Sequence, residues 1–427
     1  NRVISLGQDR RWRRILWVRF GAYGRSVGRT GDSKNRDGTI MGSLLVRNCR
    51  RYDATETNAS DWVRIENGGI AEIGSGKAAA PADRVLDGGG RLLAPGFMDV
   101  HIQGAGGADV LDATPEALST IAKTCARTGV TSYLATTVYK PGEDNRHLEV
   151  ASECVSRDLG GARLLGVHLE GPFISGRKRG MIQPDCLTEP SPEALDAILE
   201  RTGDGLRMMT LAPELPGGLE LARALVDRGI IASLGHTHAT YEETLQGFDA
   251  GIDHVTHFFN AMPSLHHRDP GPLAAIFERP EVTVQVITDG VHLHPSVVRL
   301  SFGALGAERF VTITDGMQAL GLPDGEYLYN GLDYEARNGT ARYKDGTLIG
   351  TALGLNQMLT RLMEFTDCSQ ATAIRTVTEN AASVLGLNHK TGSIQVGYDA
   401  DLVLLENDGS VHTTIVAGQI VYQRHGR

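Results

Sequence analysis

Long apolar runs and paired cysteines are both missing from this sequence of 427 residues. No apolar stretch approaches the roughly 20 residues that a membrane-spanning helix needs, which excludes a bilayer as partner. The five cysteines form no Cys-x-x-Cys pair, and this argues against both a disulfide framework and a thiolate zinc site. We therefore expect a protein of a reducing, cytoplasmic compartment.

Positive charge is scarce outside the first forty residues. Residues 1–40 carry ten Arg and Lys against three Asp, whereas the remainder carries 32 basic and 48 acidic residues. The acidic body makes nucleic acid an unsuitable partner. The stretch RRWRRILWVRF could be a targeting or nucleic-acid-binding arm, but it lacks clear periodicity. We interpret residues 1–40 as a disordered or non-native basic extension.

Apolar strands and helical stretches alternate from Leu93 onward, after short β-like pieces that begin beyond Met41. With 41% hydrophobic residues, the chain is long enough for one large domain and a smaller one. The strand-like segments are LLAPGFMDVHIQ, TSYLATTV, RLLGVHLEG, LRMMTLAPE, IIASLGHT, DHVTHFFN, VTVQVITDG and RFVTITDG. Eight such strands, most of them separated by helices, predict an α/β fold with a parallel (β/α)8 TIM-type barrel.

Polar side chains of metal-ligand type stand at six of the eight predicted strand ends. A single His or Asp there is usually a loop hydrogen-bonder or a helix cap, but the carboxyl ends of barrel strands are where chemistry is placed. The residues concerned are His101 with Gln103, Glu170, His236, His257, Asp289 and Asp315. Capping alone does not explain ligand-type residues at six of eight strand ends.

Glu170, His236 and His257 offer one carboxylate and two imidazoles. That ligand set suits zinc or another divalent transition metal and leaves a coordination position for water. A metal also explains why Glu170 sits at the end of a buried strand, where an uncompensated charge is costly. By strand alternation His254 should point to the opposite face and His238 should lie in the loop, so neither is a predicted ligand.

Asp315, in the segment TITDG, is the predicted general base beside such a metal. A carboxylate within hydrogen-bond reach can accept a proton from activated water and pass it to a leaving amine. The alternative is a cap on the following turn. The position of Asp315 at a barrel strand end favours the catalytic role.

Several motifs run in order along nearly the whole chain after Met41. They include PGFMDVHIQGAGG, HLEGPFIS, MTLAPE, GHTHATYEE, THFFNAMPSLHHRDPG, ITDGVHLHP, TDGMQALGLPDG and GTLIGTALGLNQ. Together these motifs resemble the N-acetylglucosamine-6-phosphate deacetylase family of the amidohydrolase superfamily. The resemblance implies a barrel over residues 93–385 and a small β-sandwich built from residues 41–92 and 386–427.

The resemblance also implies roles for individual residues. Glu170, His236 and His257 would bind one divalent metal ion per subunit, zinc foremost, with Fe2+, Co2+ or Mn2+ as alternatives. Asp315 would be the acid/base. The substrate, a phosphorylated N-acetyl amino sugar, would meet Met181, Asn260, Ala261, Arg268, Asp289, Gly290, Val291, His292, Leu348, Ile349 and Gly350. Arg268 would reach the neighbouring active site of a homodimer.

Two departures from the family pattern bear on mechanism. His101-Ile102-Gln103 is a hybrid of the family's two-metal and one-metal signatures, and we expect one tightly bound metal because an amide is a poorer ligand than imidazole. At the place of the family histidine that polarises the substrate carbonyl stands Ile182, which cannot do so. Gln183 is a candidate replacement donor; otherwise the metal alone would polarise the carbonyl.

The resulting prediction is hydrolysis of N-acetylglucosamine 6-phosphate to glucosamine 6-phosphate and acetate. Other hypotheses are a deacetylase of another amino-sugar phosphate such as N-acetylgalactosamine 6-phosphate, and a D-aminoacylase-like or dihydroorotase-like amide hydrolase. A catalytically silent binding protein on the same barrel is the non-enzyme alternative. The complete Glu-His-His set with Asp315 favours an enzyme.

Overall fold

A computed structural model describes residues 42–53, 60–78 and 80–424. The predicted basic extension, residues 1–40, lies outside the described residues. Strands in the first part of the described chain are β1 (Leu44–Arg51), β2 (Asp61–Glu66), β3 (Gly69–Ser75), β4 (Arg84–Asp87) and β5 (Leu92–Pro95).

Strands and helices then alternate. The strands are β6 (Phe97–Ile102), the short pair β7 (Gly104–Ala105) and β8 (Ala108–Asp109), β9 (Val130–Thr137), β10 (Arg163–Glu170), β11 (Leu206–Leu211), β12 (Ile231–Leu234), β13 (His254–Val255), β14 (Thr283–Ile287) and β15 (Phe310–Ile313). The helices between them are α1 (Pro115–Arg127), α2 (Arg146–Cys154), α3 (Pro192–Thr202), α4 (Gly218–Val226), α5 (Tyr241–Asp249), α6 (Gly271–Glu278) and α7 (Pro295–Leu305).

The remainder begins with four antiparallel strands and ends with three more. The former are β16 (Gly325–Tyr329), β17 (Leu332–Arg337), β18 (Thr340–Tyr343) and β19 (Leu348–Thr351). Next come the helices α8 (Leu355–Thr366), α9 (Gln370–Thr376) and α10 (Glu379–Val384). The last strands are β20 (Leu402–Leu405), β21 (Val411–Val416) and β22 (Gln419–Gln423). Single 3-10 turns span Val110–Asp112, Pro184–Cys186, Gly203–Gly205 and Ala307–Arg309.

One of the two eight-stranded sheets is a parallel barrel with the strand order β6, β9, β10, β11, β12, β13, β14, β15. Its strands are buried almost throughout, as expected when helices cover the outer face. The seam between β15 and β6 is joined by a parallel bridge between Ile102, the last residue of β6, and Gly316, which follows β15. The predicted fold class, a TIM-type barrel, is confirmed.

Helix starts follow local sequence signals. The N-cap Thr114 of α1 accepts a hydrogen bond from the backbone N–H of Ala117, and Pro115 occupies the first helical position. At α3, the N-cap Ser191 accepts a hydrogen bond from the backbone N–H of Ala194, and Pro192 occupies the first helical position. Such caps stabilise a helix by about 1 kcal/mol each and set where it begins.

The second sheet is built from both ends of the described chain. Its order is β22, β21, β20, β5, β1, β2, β3, with β4 also paired to β1. The first half of β1 pairs with β2 and β4, and its second half pairs with β5, so β1 belongs to both parts of the sheet. A separate apolar cluster that includes Val46, Val63, Leu93 and Leu402 fills its interior.

The segment LLAPGFMDVHIQ, predicted as one barrel strand, is two strands in two sheets. Its first half, β5, pairs with β20, and its second half, β6, pairs with β9. Gly96 separates them: a Cβ there would lie 2.2 Å from side-chain atoms of Thr131, and its N–H donates to the carbonyl of Asp401. The boundary predicted at residues 92 and 93 therefore falls inside β5.

Candidate functional site

Three side chains converge at the carboxyl-end mouth of the barrel. Glu170 is the last residue of β10, while His236 and His257 each lie two residues beyond β12 and β13. The carboxylate Oε1 of Glu170 is 3.0 Å from each histidine Nε2, and the two Nε2 atoms are 2.9 Å apart. All three residues are buried, and they form a group that could hold a metal ion.

The backbone turns sharply at the strand ends that carry these groups. His236, His257 and Asp315 have φ values of 47°, 26° and 50°. Residues other than glycine rarely adopt this region, and each such residue costs on the order of 1 kcal/mol or more. The sharp turns thus coincide with the predicted metal and acid/base residues.

Ring orientation makes the trio fit a cation. His236 Nδ1 donates to the carbonyl of Lys178 at 2.9 Å, so its Nε2 presents a lone pair toward His257 and Glu170. Three lone-pair atoms about 3 Å apart repel one another unless a proton or a cation lies among them. Metal bonds of about 2 Å place ligand atoms at about this spacing.

The electrostatics of the trio point the same way. Burial by itself raises the pKa of Glu170, but His101, His236 and His257 outweigh it and hold that pKa well below its usual range. Burial likewise lowers the pKa of His257, yet the hydrogen bond and charge of Glu170 raise it overall. The site is arranged for a negative carboxylate beside positive charge.

Gln103, just after the first barrel strand, lies between the carboxylates of Glu170 and Asp315. The amide Nε2 of Gln103 donates to Asp315 Oδ1 at 3.1 Å and approaches Glu170 Oε2 at 3.4 Å. His101 Nε2 lies 3.3 Å from Asp315 Oδ1, and its Nδ1 faces Gln285 Oε1 at 2.9 Å. Gln103 therefore links Asp315 to the trio.

Asp315 is fixed by residues far apart in sequence. Its N–H donates to the carbonyl of His101, and its carbonyl accepts from the N–H of Thr351 at the end of β19. The preceding residue, Thr314, donates through Oγ1 to the buried carboxylate of Asp99 at 2.6 Å. At Gly350 a Cβ would lie 2.4 Å from the carbonyl oxygen of Asp315, so only glycine allows this approach.

A cavity that is open to solvent lies above these groups. Ten of the residues predicted from the sequence line it: Glu170, Met181, His236, His257, Asn260, Ala261, His292, Asp315, Leu348 and Ile349. Five others that were predicted to meet substrate do not line it: Arg268, Asp289, Gly290, Val291 and Gly350.

Gly180 also lines the cavity and was not predicted. Its φ is +55°, and a Cβ there would lie 3.3 Å from Cε1 of the His236 ring. A glycine after three basic residues in a long loop is a weak signal by itself. The need for glycine becomes clear only in the structure, where this loop returns to the ring of His236.

Neither candidate for carbonyl activation in this loop lines the cavity. Ile182 is buried in an apolar cluster with Val138 and Met317, and Met181 takes the cavity wall instead. The amide of Gln183 donates to the carbonyl of Asn330, in the turn between β16 and β17. The amide of Gln183 is thus bound to the four-stranded sheet, and Gln183 has no place in the cavity wall.

The residues around the predicted phosphate end are spread over two loops. Asn260 Nδ2 donates to the carbonyls of His257 and Phe258, which leaves its Oδ1 for the cavity side. Arg268 lies in an exposed turn closed by His266 and Asp269. Within residues 42–53, 60–78 and 80–424, its guanidinium makes no ion pair.

The remaining histidines near the strand ends lie outside the trio. His238 is exposed in the loop after β12, and its backbone N–H donates to Glu214. His254 Nδ1 pairs with Thr283 Oγ1 at 2.7 Å, and burial lowers the pKa of His254 to about 3. Neither residue belongs to the trio.

Comparisons with known proteins give one consistent result. A model described as the amidohydrolase family matches residues 92–421. The N-acetylglucosamine-6-phosphate deacetylase of Bacillus subtilis (strain 168) is 36% identical over 385 residues, 89% of this chain and 97% of that protein. The N-acetylgalactosamine-6-phosphate deacetylase of Escherichia coli O157:H7 is 34% identical over 359 residues, 84% of this chain and 94% of that protein.

A solved structure extends the likeness to three dimensions. It is a variant of the N-acetyl-D-glucosamine-6-phosphate deacetylase of Mycobacterium smegmatis in complex with N-acetyl-D-glucosamine-6-phosphate, with a TM-score of 0.81 and 32% sequence identity. The match covers 89% of this chain and 99% of that chain. Among the helices of the described residues, none combines the length and apolar character needed to cross a membrane.

Proposed function

The chain belongs to the amidohydrolase family, and we propose that it hydrolyses the N-acetyl group of N-acetylglucosamine 6-phosphate, giving glucosamine 6-phosphate and acetate. The observation that carries the proposal is the continuous contact from Asp315 through Gln103 to Glu170, whose other oxygen meets His236 and His257. One acid/base group and one metal-type ligand set thus face the same cavity.

Glu170, His236 and His257 are the residues that would hold a divalent metal. When bound, such a metal supplies Lewis-acid activation of water and of the acyl carbonyl. Zinc suits two imidazoles and one carboxylate best, with Fe2+, Co2+ and Mn2+ as alternatives. We propose one metal per subunit, because the amide nitrogen of Gln103 lies between the carboxylates of Glu170 and Asp315.

Asp315 is the residue that moves the proton. Gln103 and His101 both contact Oδ1 of its carboxylate, which fixes the side chain and leaves Oδ2 for a reacting group. In the proposed reaction Asp315 takes a proton from the attacking water and delivers it to the amide nitrogen as the C–N bond breaks. The released amine then leaves as glucosamine 6-phosphate.

Six more residues of the cavity wall have proposed substrate contacts. Asn260, Ala261 and His292 would meet the phosphate, while Met181, Leu348 and Ile349 would line the sugar and its acyl group. The guanidinium of Arg268 has no acidic partner among the described residues, and we propose that it reaches the phosphate in the neighbouring subunit of a homodimer.

Carbonyl activation falls to the metal in this proposal. Ile182 has no donor, and the amide of Gln183 is bound to Asn330. Replacing Ile182 with His should raise kcat/KM if a ring at that position can reach the cavity, whereas Gln183→Ala should leave it unchanged.

A second candidate substrate is N-acetylgalactosamine 6-phosphate. The relative from Escherichia coli O157:H7 that carries that name is 34% identical, close to the 36% of the N-acetylglucosamine-6-phosphate deacetylase from Bacillus subtilis. Both sugars share the phosphate and the acetamide and differ in one hydroxyl configuration. The same residues would therefore serve either.

The test is acetate release from both epimers, with metal analysis of the same preparation. We expect turnover of the glucosamine epimer, one tightly bound divalent metal per subunit, and loss of both metal and turnover after chelation. Preference for the galactosamine epimer would move the assignment to the second candidate. Metal-retaining protein that releases acetate from neither sugar would overturn the proposed function.

A further inference from the structure

The turn after β14 uses both oxygens of one buried carboxylate. Asp289 Oδ1 accepts from the backbone N–H of Val291 at 2.9 Å and of His292 at 2.8 Å. Its Oδ2 accepts from His292 Nδ1 at 2.8 Å. Asp289 is 2% exposed and does not line the cavity, whereas His292 does.

This arrangement leaves one ring nitrogen for the cavity. Because Nδ1 of His292 carries its hydrogen toward Asp289, only Nε2, on the far side of the ring, can meet a ligand. Burial alone raises the pKa of Asp289, but the hydrogen bond and charge of His292 and the two backbone N–H groups lower it overall. The turn therefore pairs an ionised carboxylate with the imidazole.

Helix α8 holds the turn in place from behind. The guanidinium of Arg361 donates to the carbonyl of Asp289, and Thr288 Oγ1 donates to the carbonyl of Met358 at 2.8 Å. Gly290, with φ of +76°, allows the reversal, and a Cβ there would lie 3.0 Å from the ring of Phe365. The imidazole is thus presented on a braced support.

We propose that Asp289 is a positioning residue that aims His292 Nε2 at the phosphate of the substrate. The proposal rests on the proposed function and corrects the expectation that Asp289 itself meets substrate. A free carboxylate would repel a phosphate, but here both oxygens are occupied. The negative charge of Asp289 instead balances an imidazolium that donates to the phosphate.

The decisive variant is Asp289→Asn, which replaces one carboxylate oxygen with an NH2 group. The amide keeps Oδ1 for the two backbone N–H groups of the turn but replaces Oδ2 with NH2, which cannot accept from His292 Nδ1. We expect KM for N-acetylglucosamine 6-phosphate to rise roughly tenfold, as for loss of one charge-assisted hydrogen bond, with kcat within about twofold.

A double-mutant cycle separates positioning from a structural role. If Asp289 acts through His292, Asp289→Asn should add no further rise in KM when His292→Ala is already present. If Asp289 only shapes the turn, the loss should be the same in both backgrounds, and the proposal would be overturned. A fall in kcat with KM unchanged would overturn it as well.

Binding of inorganic phosphate tests the inference without turnover. Calorimetric titration should give a Kd roughly tenfold weaker for Asp289→Asn than for the unmodified holoprotein. Equal Kd values would reject the role of Asp289 even if deacetylation were established. Should Asp289→Asn fail to fold, His292→Ala must itself weaken phosphate binding. The unmodified protein could fail to hydrolyse either sugar while Asp289→Asn still weakens phosphate binding. That result would overturn the proposed function but support the phosphate site.

Discussion

On the ligand side of the site, formed by Glu170, His236 and His257, each side chain leaves the end of its own barrel strand. On the proton-transfer side, Asp315 is held by His101, by Thr351 and, through Thr314, by Asp99. These supports come from the first barrel strand and from β19, a strand of the four-stranded sheet. The contacts within the ligand trio join residues at most 87 apart in sequence, whereas Thr314 and Asp99 on the proton-transfer side are 215 residues apart.

The two sides also differ in how burial is compensated. On the ligand side, imidazoles outweigh burial and hold the pKa of Glu170 well below its usual range. Behind the proton-transfer side, burial raises the pKa of Asp99 to about 6 and that of Asp109 to about 7. Positive charge is thus concentrated where a metal ligand is needed. The carboxyls that only support the scaffold are stabilised in the neutral form.

The largest effect should come from the ligand side. We expect His257→Ala to lose metal and activity together, by more than the roughly 10- to 100-fold that loss of an outer-shell partner causes. The exposed His238 is the matched control, and His238→Ala should retain both. Metal content and acetate release measured on the same samples decide the point. Full activity of metal-free protein would contradict the ligand assignment.

Asp315→Asn should separate the two sides. The metal should stay, because Asp315 lies outside the trio, but kcat should fall roughly 10²- to 10⁴-fold with the loss of the acid/base group. Metal analysis, circular dichroism and steady-state kinetics on one preparation provide the test. Normal turnover would mean that Asp315 only caps its turn and that another base acts.

The seam that supports Asp315 predicts a smaller effect. Thr314→Val removes the hydroxyl that donates to Asp99 and leaves a buried acceptor unpaired, at a cost of about 1–3 kcal/mol in the free energy of unfolding. We expect kcat to fall about tenfold with metal content unchanged, because the neighbouring Asp315 shifts. Thr314→Ser keeps the hydroxyl and should resemble the unmodified protein. Equal losses of kcat in Thr314→Ser and Thr314→Val would show that the hydrogen bond from the Thr314 hydroxyl does not position Asp315.

The smallest effect concerns stability alone. Asp109 has a folded-state pKa of about 7, against about 3.9 for an unfolded chain, so the folded state binds the extra proton between these values. Stability should therefore fall as pH rises through this window. Asp109→Asn cannot titrate and should be more stable than the unmodified protein at pH 8, by on the order of 1 kcal/mol or more.

The pH dependence provides the check on that prediction. Urea unfolding at about pH 8 and about pH 5 should show the advantage of Asp109→Asn shrinking at the lower pH. A difference that is the same at both values would mean that the carboxyl is not the titrating group. Catalysis at pH 8 should change little, because Asp109 does not line the cavity.

Much of the ligand side could be predicted because its signals are local. An apolar run that ends on a carboxylate, and two more that end near histidines, place ligand types at strand ends, and parallel barrels bring such ends together. Strand alternation also placed His254 and His238 outside the trio. The hydrogen bond from His236 Nδ1 to the carbonyl of Lys178 could not be predicted, since it requires a loop to return over the barrel mouth.

The sequence by itself determined the eight-stranded barrel, the convergence of Glu170, His236 and His257, and the strand-end position of Asp315, because periodicity and strand ends are encoded within a few residues. Tertiary structure decided the split of the first strand at Gly96, the commitment of Gln183 to Asn330, and the turning of Asp289 toward His292 rather than the cavity. Each of these depends on which distant backbone or side chain supplies a hydrogen-bond partner or excludes a Cβ. Such pairing is settled only when the whole chain has packed.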